Sequence, residues 1–76
     1  MDVADLVTEL AAATEGVTAA QARQTRLVAL ARAAGASWAD IAAAVGTSPQ
    51  AAWRRWRGVR VDETSGAVWR EPRLLM

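Results

Sequence analysis

This chain contains no cysteine, no histidine, no lysine and no tyrosine. The missing thiols exclude disulfides and thiolate chemistry. Without histidine as well, the usual ligands of zinc and other transition metals are gone, and no cofactor is expected. General bases and nucleophiles shrink to carboxylates and hydroxyls, none of which cluster along the sequence. That inventory argues against an enzyme. No signal peptide is expected, because Met1 to Asp5 is acidic where a targeting segment would be basic. No apolar run approaches the length of a membrane span. The expectation is a cytoplasmic protein with no membrane partner and no small-molecule ligand.

What remains is 76 residues, of which 19 are alanine. Alanine is the best helix former, so the composition argues for an all-α fold. A chain of this length buries only about 60% of its unfolded surface, and association with a second copy is one way to gain core. Net charge is +1, but it is unevenly spread. Residues 1–15 carry Asp2, Asp5, Glu9 and Glu15 and no cation, whereas residues 54–60 carry Arg54, Arg55, Arg57 and Arg60 and no anion. Such a division speaks about partners rather than fold.

Four helices are expected, at about 2–13, 18–34, 38–45 and 48–58, within a single domain spanning 1–76. In the first, Val3, Leu6, Val7 and Leu10 form one apolar stripe, and Gly16 reads as the left-handed residue that stops it. Thr18 and Gln21 fit a capping box that opens the second, which Gly35 stops. Leu27, Leu30, Ala31 and Ala34 are its expected buried stripe, with Ala20 and Val28 near the edges. Arg23, Arg26 and Arg32 lie away from that stripe, as a solvated face or as phosphate contacts. Ser37 and Asp40 cap the third helix, Gly46 and Thr47 turn the chain, and Ser48 caps the fourth with Pro49 in its first turn. Beyond Gly58, residues 59–76 read as a C-terminal arm or a wing-like hairpin. Val59 and Val61 would face Val68 across the polar turn at 62–66.

The segment from Trp38 to Trp56 resembles a helix-turn-helix unit. Its pattern is Trp38, Ile41, Ala42, Gly46, Ser48, Ala52, Arg55 and Trp56. The spacing is most similar to the trihelical type of sigma-factor region 4, LuxR-type regulators and homeodomain-like repressors, over about a third of the chain. Trp56 stands where a leucine or isoleucine is usual, and Pro49 and Trp53 are also departures. The resemblance implies that the fourth helix is the recognition helix. Each helical residue turns by about 100°. With Ala52 and Trp56 inward, Arg54 points directly away, flanked by Gln50, Ala51 and Arg57.

These residue types suit the major groove. Glutamine pairs with adenine edges, arginine with guanine O6 and N7, and Ala51 could touch a thymine methyl. Thr47 and Ser48 sit where phosphate oxygens meet a helix start, and Arg55 and Arg60 are candidate phosphate clamps. Trp38 and Trp56 read as core. Trp53 packs on the tail or a second helix, or lies against the DNA backbone. Trp69 docks the tail onto the domain or onto a partner.

The function expected from this reading is sequence-specific binding of double-stranded DNA by a small bacterial or phage transcription regulator. The alternative is an adaptor for an acidic protein, such as RNA polymerase, a toxin or another regulator. A homodimer could form through residues 2–13 or through the C-terminal arm. As a wall of the core instead, residues 2–13 would supplement the little that the other helices bury.

Overall fold

The computed structural model describes residues 2–62 and 64–71. Three helices come first: α1 at Val3–Ala33, α2 at Trp38–Val45 and α3 at Pro49–Trp56. Two short strands follow, β1 at Val59–Val61 and β2 at Val68–Arg70, paired antiparallel.

α1 is a single helix of 31 residues, not two. It starts at Asp2, whose carboxylate accepts from the Asp5 amide at 2.9 Å. The break expected at residues 14–18 does not occur. Gly16 keeps helical geometry, and Thr18 caps nothing. Instead the Thr14 and Thr18 hydroxyls donate to the carbonyls one turn back, Leu10 O at 2.8 Å and Thr14 O at 3.1 Å. Thr8 does the same to Ala4 O at 3.0 Å. Such bonds satisfy the threonine side chains without leaving the helix. The glycine costs about 1 kcal/mol against alanine, which the alanine-rich surroundings absorb. The helix ends where expected. Gly35, at φ 100°, lets its own amide reach Arg32 O at 3.0 Å and the Ala36 amide reach Ala31 O at 2.9 Å. Those two bonds form a Schellman motif.

The turn between α2 and α3 is built by caps. Ser37 Oγ accepts from the Asp40 amide at 3.0 Å, and the Asp40 carboxylate accepts from the Ser37 amide at 3.0 Å. These two contacts complete the capping box. The Ser37 amide first, and then the Ser37 side chain, hold the Asp40 carboxyl below its ordinary value. Gly46 closes α2 at φ 77°, a left-handed conformation that side chains disfavour. Ser48 Oγ then accepts from the Ala51 amide at 3.1 Å and opens α3.

The core gathers where α2 and α3 cross and meet the end of α1. Ala52, Ala42 and Trp56 are 0%, 1% and 2% exposed, with Val28, Ala29, Ile41 and Val59 also buried. Two alanines at the crossing let the helices approach closely, and Trp56 fills the space this leaves against α1. Its indole Nε1–H donates to Thr25 Oγ1 at 3.4 Å. Burying one tryptophan contributes up to about 4–6 kcal/mol by transferred area, a large share of a small domain's stability.

The buried stripe of α1 therefore differs from the expected one. Val28 and Ala29 are buried, Ala31 is half-buried, and Leu27, Leu30 and Ala34 lie at the surface. The inward face follows Trp56 and Val59 rather than the leucines. Residues 2–13 do not wall the core: every described residue from 2 to 22 is exposed.

The hairpin alternative for the arm holds as far as residue 71. Val59 pairs with Arg70, Arg60 with Trp69 and Val61 with Val68. β1 packs on α1 through buried Val59, and Arg26 Nη1 donates to Gly66 O at 2.9 Å, tying the turn to α1. Within the turn, Asp62 accepts from the amides of Thr64 and Ser65, which hold its carboxyl below the usual range. Trp69 lies opposite Arg60 in the hairpin and is 47% exposed. The arm's end at residues 72–76 lies outside the described residues.

Trp56→Ala is expected to cost about 3–5 kcal/mol, and Ala42→Leu about 1–3 kcal/mol by overpacking the crossing, both read by urea denaturation. A lowered carboxyl pKa stabilises the fold above the group's unfolded value and loses that contribution as pH falls through the folded one. Acid melts should therefore show stability falling below the ordinary carboxylate value of 3.8. Asp40→Asn should reduce that dependence.

Candidate nucleic-acid interface

α3 carries the site. Its inward side is fixed by Ala52 and Trp56, one turn apart, which leaves the opposite side to solvent. Gln50, Ala51, Arg54 and Arg57 are all exposed there. Arg54 extends straight away from the core and makes no side-chain hydrogen bond, ion pair or ring contact among the described residues.

The other arginines are partly engaged. Arg57 lies over the Trp53 ring, 4.9 Å from its centroid, at the i, i+4 spacing that makes helical neighbours. Trp53 is 43% exposed, so this stacked pair forms one flank of the helix. The indole's other neighbours include Ala29, Ala33 and Trp38, with which it lines a cleft. Arg55 covers the outer edge of Trp56, with its guanidinium 4.5 Å from the ring centroid. A guanidinium held over an indole ring keeps its charge and loses rotational freedom, which pre-organises it. Arg60 is tied most firmly. Its Nη1 donates to Arg57 O and Val59 O, both at 3.0 Å, and its Nη2 pairs with Glu71 at 3.2 Å.

At the start of α3 the donors are few. The Ala51 amide is taken by Ser48 Oγ and the Ala52 amide by Ser48 O. Pro49 has no N–H, so Gln50 supplies the free backbone donor. The Ser48 hydroxyl accepts from Ala51 and still has its own proton to give. Thr47 is exposed beside it, with its amide held by Ala42 O at 3.0 Å.

The structure thus brings Thr47, Ser48, Gln50, Ala51, Arg54, Arg55 and Arg57 onto or beside one short helix, with Arg60 on the adjoining strand. Two features escape a reading by helical spacing alone. One is the Arg60–Glu71 pair, which joins residues brought together only by the hairpin register. The other is a cleft of about 490 Å³ beside α3, where Arg32 and Arg60 converge with Trp38, Trp53 and Arg57. Arg32 lies over the Trp38 ring at 4.6 Å, so the cleft repeats the stacking seen on α3. The exposed face of α1 expected for Arg32 and Arg26 is observed, but each also donates to a carbonyl, Ala36 O and Gly66 O respectively.

A capped helix, a glycine turn, a second capped helix with an inward Ala and Trp, and an outward polar face define a helix-turn-helix unit. Residues 26–58 match the family model described as the AsnC-type helix-turn-helix domain, a match that begins in the last quarter of α1 and stops before the hairpin. The chain is similar to that domain over this segment. The resemblance to the sigma-factor, LuxR-type and homeodomain-like classes stands at the level of the shared skeleton. No curated protein and no solved structure matches the chain. Among the described residues no helix is long and apolar enough to cross a membrane.

Ser48→Ala removes the α3 cap. It should cost about 1 kcal/mol and lower the melting temperature by roughly 4–8 °C, measured by circular dichroism.

Proposed function

We propose that this protein binds double-stranded DNA through the major groove with α3 and acts as a small transcription regulator. The observation that carries the reading is the outward face of α3, where Arg54 and Gln50 stand free while Ala52 and Trp56 hold the helix from behind. Arg54 and Arg57 would contact guanine edges, Gln50 an adenine and Ala51 a thymine methyl. Thr47, Ser48 and the Gln50 amide would meet phosphate, together with Arg55. Arg60 would join them as a weaker clamp, because Glu71 already offsets its charge.

The AsnC-type match supports the reading, since it covers the whole of α2, the turn and α3. The absence of any acid between Asp40 and Asp62 supports it too, because an ordinary solvated face mixes signs. An adaptor that meets an acidic protein draws support from exposed Trp53, a residue type enriched at interface anchors. Salt separates the two readings. Duplex binding should weaken with a log–log slope of about −0.9 per phosphate neutralised.

The test is selection from a randomised duplex library, followed by anisotropy titration of the selected site. Arg54→Ala with Arg57→Ala should leave the helical spectrum intact and weaken that binding by about 30-fold or more, taking at least 1 kcal/mol per contact. Undiminished affinity in the double variant would remove α3 from the reading role.

A further inference from the structure

The N-terminal two thirds of α1, which precede the matched segment, are exposed from Val3 to Arg23. Val3, Leu6, Leu10 and Val17 are 77%, 51%, 66% and 56% exposed, on a helix whose first 20 residues rest on nothing. Most helical stability in proteins comes from packing of an apolar face, which this segment lacks within the chain. Its apolar positions also follow a stricter rule than one amphipathic face requires. Val3, Leu10, Val17 and Ala31 fall on one seven-residue register, which polar Gln24 interrupts. Leu6, Ala13, Ala20 and Leu27 fall on a second, offset by three. Alternating steps of three and four, sustained over four heptads, are the seam of a coiled coil.

At the other end of α1 the same seam opens into a groove of about 650 Å³. Ala20, Gln24, Leu27 and Ala31 form one wall, and Ile41, Ala44 and Val45 of α2 form the other. The groove is mainly apolar. One helix therefore carries both an uncovered apolar ridge and an unfilled apolar furrow.

Charge selects the occupant. On one flank of the seam the charged residues are acidic in the first half, Asp2 and Glu9, and basic in the second, Arg23, which also lines the groove. We propose that two copies of this chain pair their α1 helices antiparallel about a two-fold axis near Gly16, each laying its N-terminal half into the other's α1–α2 groove. In that register Val3 meets the second copy's Leu27, Leu6 its Gln24, Leu10 its Ala20 and Ala13 its Val17. On the flank Glu9 meets Arg23, and the two-fold repeats that pair. A parallel pairing sets acid beside acid and base beside base. Gly16 falls at the axis, where the flank positions of the two helices face each other, and a Cβ there meets nothing within one chain. This pairing does not depend on DNA binding. It selects the helix over the C-terminal arm as the contact between copies.

The experiment uses the full chain. Sedimentation equilibrium from micromolar to millimolar concentration should fit a monomer–dimer equilibrium. Glu9→Arg alone, or Arg23→Glu alone, should raise the dissociation constant by about tenfold, since each sets two like-charged pairs in place of attractive ones. In an equimolar mixture of the two single variants, position 9 of either chain again faces an opposite charge at position 23 of the other. Association should therefore recover as a heterodimer. The chain carrying both substitutions should recover as a homodimer for the same reason. Orientation is read by cysteine, which the chain lacks. Leu6→Cys mixed with Gln24→Cys should oxidise to a mixed disulfide dimer, and Leu6→Cys alone should not. Folding of each variant is checked by tryptophan emission. A wild-type chain that stays monomeric at all concentrations would overturn the proposal. So would efficient self-crosslinking of Leu6→Cys, a mixture that associates no better than its components, or charge variants that associate like the wild type. A partner of another kind on this face would appear as the monomeric outcome.

Discussion

The packing of Trp56 and Ala52 against the end of α1 is the constraint from which the rest of the molecule follows. An alanine at the crossing permits close approach of two eight-residue helices, and an indole one turn later fills the gap and reaches Thr25. Neither helix is long enough to be stable alone. With two positions of α3 committed to the interior, the helix has no rotational freedom left. The same burial that folds the unit aims Arg54 at solvent and sets Arg55 and Arg57 on its shoulders.

How much of this was legible depended on how local the determining physics was. The caps of α2 and α3 are contacts across three residues, so Ser37, Asp40, Gly46 and Ser48 announce themselves. The alternation of Val59, Val61 and Val68 is equally local, and the hairpin follows it. The inward register of α1 is different. Leu27 and Leu30 are larger than Ala29, yet Ala29 is buried, because its neighbours are a tryptophan and a strand that come from elsewhere in the chain. Nothing within α1 encodes that choice.

The merging of two expected helices into one has a related cause. Threonine and glycine are ordinary stop signals when a competing turn is available. Here Thr14 and Thr18 spend their hydroxyls on the preceding carbonyls, and Gly16 has alanine-rich sequence on either side. No proline intervenes to remove a backbone donor. The outcome is a rod that projects from the globular part, with overall extents of 49 × 29 × 28 Å. Among the contacts of the candidate residues, the Arg60–Glu71 pair became visible with the folded hairpin.

All four tryptophans, at 38, 53, 56 and 69, belong to the globular end, whereas most helical peptide bonds belong to α1. Indole emission and far-ultraviolet ellipticity thus watch different bodies within one short polypeptide. In a lone chain the rod's outer turns fray without disturbing any fluorophore, so ellipticity declines ahead of emission on warming. Coincidence of the two curves signals that something braces the rod along its whole length.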